Sequence, residues 1–391
     1  PHGIFIFYKK WYNHAKMYLS GKVIRVSIFA ILAAAALAGA AIYITRHPSL
    51  IARVRRPQET APPVSSAETD TEIVAENLAI PWEIVFLPDG DLLVTERPGT
   101  LKRIGNDHRA YAIEGVAHVG EGGLLGAALH PRFYDNHWVY LYLTTRTGDG
   151  LANRVERYRL ENDRLAERTL IIEGIPGASN HDGGRIAFGP DGYLYITTGD
   201  AGSSRLAQDR DSLAGKILRL GDDGSVPADN HFGTAIWSYG HRNPQGLAWD
   251  DTGRLWATEH GRSIPFSGYD ELNLIEKGKN YGWPTIQGNE SGTGMERPMI
   301  HSGASDTWAP AGAAYRNGSI FFGGLRGEAL YEVEIRSGEI NLNTHLHNEF
   351  GRIRAVVAGP DGFLYISTSN TDGRGDPLPG DDKIIKYGKR N

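Results

Sequence analysis

Six times between Leu87 and Asn370 a short polar turn is followed by a strand-like run of alternating side chains. The clear copies are "LPDGDLLVTE" (Leu87–Glu96), "GPDGYLYITTGD" (Gly189–Asp200), "DDTGRLWATEHG" (Asp250–Gly261) and "GPDGFLYISTSN" (Gly359–Asn370). Looser copies are "HPRFYDNHWVYLYLT" (His130–Thr144) and "RNGSIFFGGL" (Arg316–Leu325). Taken alone, each copy marks only a hairpin. The recurrence says more: six copies over about 320 residues leave roughly 50 residues each, the size of a four-stranded propeller blade. Alternation at Leu92 and Val94, and at Leu194 and Ile196, predicts one face of each strand buried between neighbouring blades. Sustained helical periodicity is missing from this part of the sequence, and Gly 49 with Pro 20 suits a fold of many tight turns. The expected class is therefore all-β, with residues 71–391 forming one six-bladed β-propeller. A pair of β-sandwiches is the alternative, and the repeat argues against it.

Other classes fall to composition. The net charge of -5 and the lack of a basic stripe give no reason to expect a nucleic-acid partner. The chain has no cysteine, which excludes disulfides, thiolate-bound zinc, iron–sulfur clusters and a thiol nucleophile. Near the start, Val26–Ile44 carries no charge and approaches the roughly 20 apolar residues that cross a bilayer. Residues 1–46 thus read as an export signal or a membrane anchor, with a buried Ala-rich helix as the plain alternative. Residues 47–70, rich in Pro, Ser, Ala and charge, read as a flexible linker. An exported protein, periplasmic or extracellular, is the expectation; oligomeric state stays open.

A propeller gathers loops at one mouth of its channel, so polar residues beside the repeated strands meet in space. "SNHDGG" (Ser179–Gly184) places an imidazole where a hairpin needs none. "GEGGLL" (Gly120–Leu125), "SYGHRNPQGLAW" (Ser238–Trp249) and "DTWAPAG" (Asp306–Gly312) are similarly dense in polar chemistry. Arg242, Arg326, Arg352 and Arg354 suit a ligand with several carboxylates, since each guanidinium can bind one bidentately. The simpler expectation for any one of them is an ion pair with a nearby acid.

"NHDGGRIAFGPDGYLYITTGD", "GHRNPQGLAWD", "EHG" with "DELNLIEKGKNYGWP", and "GGLRGEALY", in this order, resemble the PQQ-dependent soluble aldose sugar dehydrogenases. The resemblance runs from about Glu76 to Lys386, nearly the whole propeller. It implies pyrroloquinoline quinone (PQQ) and calcium at the channel mouth, and oxidation of the C1 hydroxyl of aldoses to lactones. Electrons would then pass to a quinone or cytochrome acceptor. By the same resemblance, His181 is the general base, with Arg242 on the quinone oxygen. Asn243, Thr307, Arg352 and Arg354 are cofactor contacts, and Arg326 stands where glucose-oxidising members have lysine. Backbone carbonyls of Gly261 and Arg262 would hold the catalytic calcium. The Glu271 carboxylate and Tyr281 carbonyl would hold a second, structural one, unless Glu271 forms a surface salt bridge.

Three positions depart from the pattern. Glu121 replaces a glutamine that touches the cofactor, Asn180 replaces an aspartate beside the base, and Arg262 replaces a proline ahead of an apparent insertion, "SIPFSGY". An added carboxylate beside an acidic ligand is unfavourable unless protonated or paired. These departures leave open a second reading, a cofactor-free propeller of the same lineage that binds a protein or glycan. A calcium-dependent lactonase-type hydrolase would need an acidic cage that the matching loops do not offer.

Overall fold

The computed structural model describes residues 70–388 apart from 107, 149, 263–267 and 336–339. The export or anchor segment 26–44 and most of the 47–70 linker lie outside the described residues. The described residues form six four-stranded antiparallel sheets. Blade 1 starts with Pro81–Phe86, blade 2 with Leu124–Leu129, blade 3 with Ile186–Phe188, blade 4 with Pro244–Trp249, blade 5 with Pro310–Arg316 and blade 6 with Ile353–Ala358. Each of these is the innermost strand of its sheet. Together they line a central channel of about 430 Å³ bounded by Glu83, Ala127, Arg185, Leu247, Ala313 and Val356 among others.

All six repeat copies join the first and second strands of a blade. In blade 2 a single helical turn, Phe133–Asn136, replaces the Pro-Asp-Gly turn. Blade 6 is completed from the far end of the propeller. Asp70–Ala75 pairs antiparallel with Ile384–Gly388, with Glu72 opposite Lys386. Ring closure thus ties the two ends of the propeller together.

The core lies between blades. Leu93 and Leu101 of blade 1 pack with Leu124, Val139 and Leu141 of blade 2. Leu92 and Val94 pack on the other side with Ala355 and Tyr365 of blade 6. Adjacent residues of one strand therefore serve two different interfaces. This corrects the expectation of one buried face: Leu92–Glu96, Leu194–Thr198 and Leu364–Thr368 are buried at every position. Polar Thr95 and Glu96 go in too, and they are bonded there: Thr95 donates to the Leu125 carbonyl at 2.5 Å.

Alternating strand directions put two kinds of loop at one end: those entering a first strand and those joining a second strand to a third. The Pro-Asp-Gly turns lie at the opposite end. In five of the six inner strands the pairing shifts register near the mouth, between Pro81 and Glu83 for example. Such bulges bend a strand end and re-aim its side chains toward the loops.

Candidate active site at the channel mouth

Residues 179–184 enter blade 3, and residues 199–203 leave its second strand. The two loops touch at glycine. A Cβ on Gly199 would sit 1.9 Å from the His181 carbonyl oxygen, so only glycine permits this approach. His181 itself takes φ 60°, the left-handed region costly for a residue with a side chain. Two contacts hold it there: its N–H donates to Glu121 Oε2 at 3.0 Å, and its carbonyl accepts the Ala201 N–H at 3.2 Å.

The imidazole Nδ1 lies 2.7 Å from Asp200 Oδ1. Burial works to raise the Asp200 pKa, but the His181 bond and the Trp283 indole outweigh it and hold the carboxyl below its ordinary value. An ionised carboxylate only accepts, so Nδ1 is the donor, and in the neutral imidazole the free lone pair is then on Nε2. A carboxylate beside the imidazole is thus present, from Asp200.

Asn243 enters blade 4 fully buried. Its Oδ1 accepts the Gly183 N–H at 3.0 Å, which leaves Nδ2 with no partner. Next to it, Arg242 donates its backbone N–H to Glu259 at 2.5 Å, and its guanidinium stands 5.4 Å from the Trp283 ring centre. Arg262 flanks the same ring at 5.6 Å. Burial lowers the Arg242 pKa, and Asp200 and Glu121 counter it.

Arg352 and Arg354 enter blade 6 with different surroundings. Arg352 follows the simpler expectation, pairing with Asp372 at 2.9 Å and donating to the Leu325 carbonyl at 2.9 Å. Arg354 makes no ion pair among the described residues and donates to Gln245 Oε1 at 2.6 Å. Burial and the nearby Arg97 push its pKa down to about 9. Its Nε has no partner, nor do Arg97 Nε and His260 Nε2. Burial also lowers His260 to about 4. His260 lies within electrostatic range of Glu121, Arg242 and Arg354, and Glu121 within range of both arginines. Left-over buried donors and an uncompensated guanidinium fit an acidic ligand with many acceptor atoms.

Glu121 answers the question of the extra carboxylate. Burial favours its neutral form, yet the His181 N–H and Arg374 together pull its pKa down to about 2. It is paired, not protonated: Arg374 lies at 2.8 Å.

Thr307 donates its hydroxyl to Asp270 Oδ2 at 2.9 Å, and Asp270 also accepts the Gly261 N–H at 3.0 Å. One buried carboxylate thereby joins the loops of Gly261 and Thr307. Arg326, at the mouth end of blade 5, is exposed and forms no side-chain hydrogen bond or ion pair among the described residues. Glu271 has no ion pair there either, which removes the salt-bridge expectation; its contacts are Asn273 at 3.2 Å and the Gly288 N–H at 3.4 Å. Burial and the Glu259 carboxylate raise its pKa to about 8. A half-buried carboxyl without an ion pair fits a cation. No cluster of three or more acidic or histidine ligands occurs among the described residues, so backbone carbonyls such as Tyr281 would complete any such site. Tyr281 itself stacks on His241, whose imidazole bonds Glu259 at 2.7 Å.

Residues 78–378 match the family model described as glucose / sorbosone dehydrogenase. The chain belongs to this family. It is similar to the aldose sugar dehydrogenase YliI of Escherichia coli, 34% identical over 364 residues, covering 83% of this chain and 94% of that one. The solved PQQ-bound aldose sugar dehydrogenase of Streptomyces coelicolor is 41% identical, with a TM-score of 0.76, and 84% of this chain covers 99% of it. Quinoprotein glucose dehydrogenase B of Acinetobacter calcoaceticus is 33% identical over 267 residues, 59% of this chain and 55% of that one. Sequence reading missed Asp200, Trp283 and Arg374 in this site. Asp200 closes the repeat copy "ITTGD" and Trp283 lies in "NYGWP", so both stood in quoted motifs without a role. Arg374 sits in an unpatterned loop and offered no signal.

Proposed function

We propose that this chain is a PQQ-dependent aldose sugar dehydrogenase that oxidises the C1 hydroxyl of an aldose to a lactone, with His181 as general base. The observation that carries the reading is the His181–Asp200 pair. It turns the lone pair of the neutral imidazole to Nε2. The two carboxylates that hold His181, Asp200 and Glu121, lie in electrostatic range of Arg242, with Glu121 also in range of Arg354, which has no ion pair among the described residues. When bound, PQQ supplies a hydride acceptor for C1, and calcium polarises its quinone.

The chain's own residues do the rest. His181 Nε2 takes the proton of the C1 hydroxyl, and Asp200 stabilises the imidazolium that results. Arg242 offers fixed positive charge where charge builds on reduction. Arg352, Arg354, Asn243 and Thr307 would hold the cofactor, with Glu121 and Asn180 beside it and Arg326 at the rim. Gly261 and Arg262 would offer carbonyls to the calcium next to the cofactor. Glu271 and Tyr281 would hold a structural one. A quinone or cytochrome acceptor would remove the electrons, and an N-terminal signal or anchor would place the propeller outside the cytoplasm. Pairing of Glu121 with Arg374 answers one objection to the cofactor and weakens the reading as a cofactor-free binding propeller.

The test mixes the purified protein with PQQ and calcium, an aldose and an artificial acceptor dye. Dye reduction that a chelator abolishes is expected. Absence of PQQ binding at micromolar concentrations would sink the proposal in favour of the binding module.

A further inference from the structure

We infer that Trp283 is a positioning residue for the base, acting through Asp200; the inference rests on the reading of His181 given above. Trp283 Nε1 donates to Asp200 Oδ2 at 2.9 Å. The other oxygen, Oδ1, faces His181 Nδ1 at 2.7 Å and the Gly202 N–H at 2.9 Å. The carboxylate is thus shared between an indole on one side and the imidazole on the other. Two ring contacts give Trp283 a second link: its indole stands beside Arg242 and Arg262. One side chain therefore touches the partner of the base and the guanidinium assigned to the reduced cofactor.

The sharing has a chemical consequence. A donor on Oδ2 draws negative charge away from Oδ1, so Asp200 holds the imidazolium less tightly than it would alone. Trp283 thereby keeps His181 easier to deprotonate and ready to act as a base. The other charged groups near this pair are Glu121, on the His181 backbone, Asp182, and Arg242. None of them bonds the Trp283 indole nitrogen. The Trp283 backbone is held independently of its ring, by the Gly240 carbonyl at 2.9 Å and by Gln208 on its own carbonyl at 2.7 Å. Replacement of the ring therefore leaves the loop anchored.

Histidine NMR on the protein without added cofactor reads the effect directly, with the His181 resonance assigned by its loss in His181→Gln. Trp283→Phe and Trp283→Leu should each raise the His181 pKa by about half a unit or more. In the PQQ- and calcium-loaded enzyme the acid limb of kcat/KM should move up by the same amount. In the unmutated protein, the Trp283 indole N–H resonance should shift with the same midpoint as His181. An indole resonance indifferent to that titration, or a His181 pKa unchanged in a folded variant, overturns the inference. Failure of the base reading looks different: His181→Ala would keep its turnover while, in the unmutated protein, His181 and the Trp283 indole still shared one midpoint.

Discussion

Glu121 Oε1 meets the Arg374 guanidinium at 2.8 Å, joining a loop that enters blade 2 to one that leaves the second strand of blade 6. These blades are not neighbours; blade 1 lies between them. The clasp spans its loop, where Arg97 donates to the Gly120 carbonyl. Glu121 also holds the His181 N–H, so one carboxylate ties the rim of the mouth to the backbone of the proposed base.

Replacing Arg374 with Met should loosen that clasp without unfolding the protein. Its side chain is 57% exposed, so the direct stability loss should stay below about 1 kcal/mol. The pH sign follows from Glu121, whose pKa is depressed to about 2. Its contribution is full above the ordinary carboxylate value of 4.5 and fades as pH falls toward 2. Thermal melts across this range should show Arg374→Met less stable than the unmutated protein above about pH 4.5, with the gap closing as pH falls toward 2. Superimposable pH curves would contradict the clasp.

Gly199→Ala drives a methyl into the His181 carbonyl, a backbone atom that has to move. Displacement of the base by about 1 Å costs on the order of a hundredfold in rate. The expected result is a fall of that size in kcat, with PQQ affinity changed far less. Normal turnover in Gly199→Ala would mean that this close approach does not set the position of the base.

Arg354→Met separates cofactor binding from folding. A buried guanidinium without a carboxylate partner is a burden on the empty protein, and an apolar side chain of similar length relieves it. The melting temperature without cofactor should hold or rise, while the PQQ dissociation constant increases by about tenfold or more. A fall in melting temperature together with the loss of affinity would assign Arg354 to folding.

Lys216 tests the loop behind Asp200. The residue is fully buried, and its ammonium donates to the carbonyls of Leu206, Ala207 and Ala214. Burial lowers its pKa to about 8. Lys216→Met leaves three carbonyls without their donor and should cost about 2–4 kcal/mol by denaturant titration. Since the folded-state pKa lies below the ordinary 10.5, stability from this group should rise between pH 8 and 10.5. Lys216→Met should lack that rise.

The architecture was legible because local and global signals agree. Each repeat copy became the hairpin between the first two strands of one blade, and six copies gave six blades. The closing strand Asp70–Ala75 was not legible, since its partner near Ile385 lies at the other end of the propeller and no turn links them. Burial of Thr95 and Glu96 escaped for another reason. Alternation reports one packed face, whereas a propeller strand packs on both. In the site, His181, Arg242 and Asn243 stood out as dense polar loops beside strands. Asp200, Trp283 and Arg374 act through neighbours distant in sequence, and spacing carries no trace of such contacts.

The central claim is that His181 Nε2, held by Asp200, takes the proton of the sugar's C1 hydroxyl. Single-turnover reduction of the PQQ- and calcium-loaded protein by an aldose, comparing His181→Ala with the unmutated chain, tests it most directly. The account predicts a loss of roughly 10³-fold or more in the reduction rate with PQQ still bound. Reduction within tenfold of the unmutated rate would contradict it.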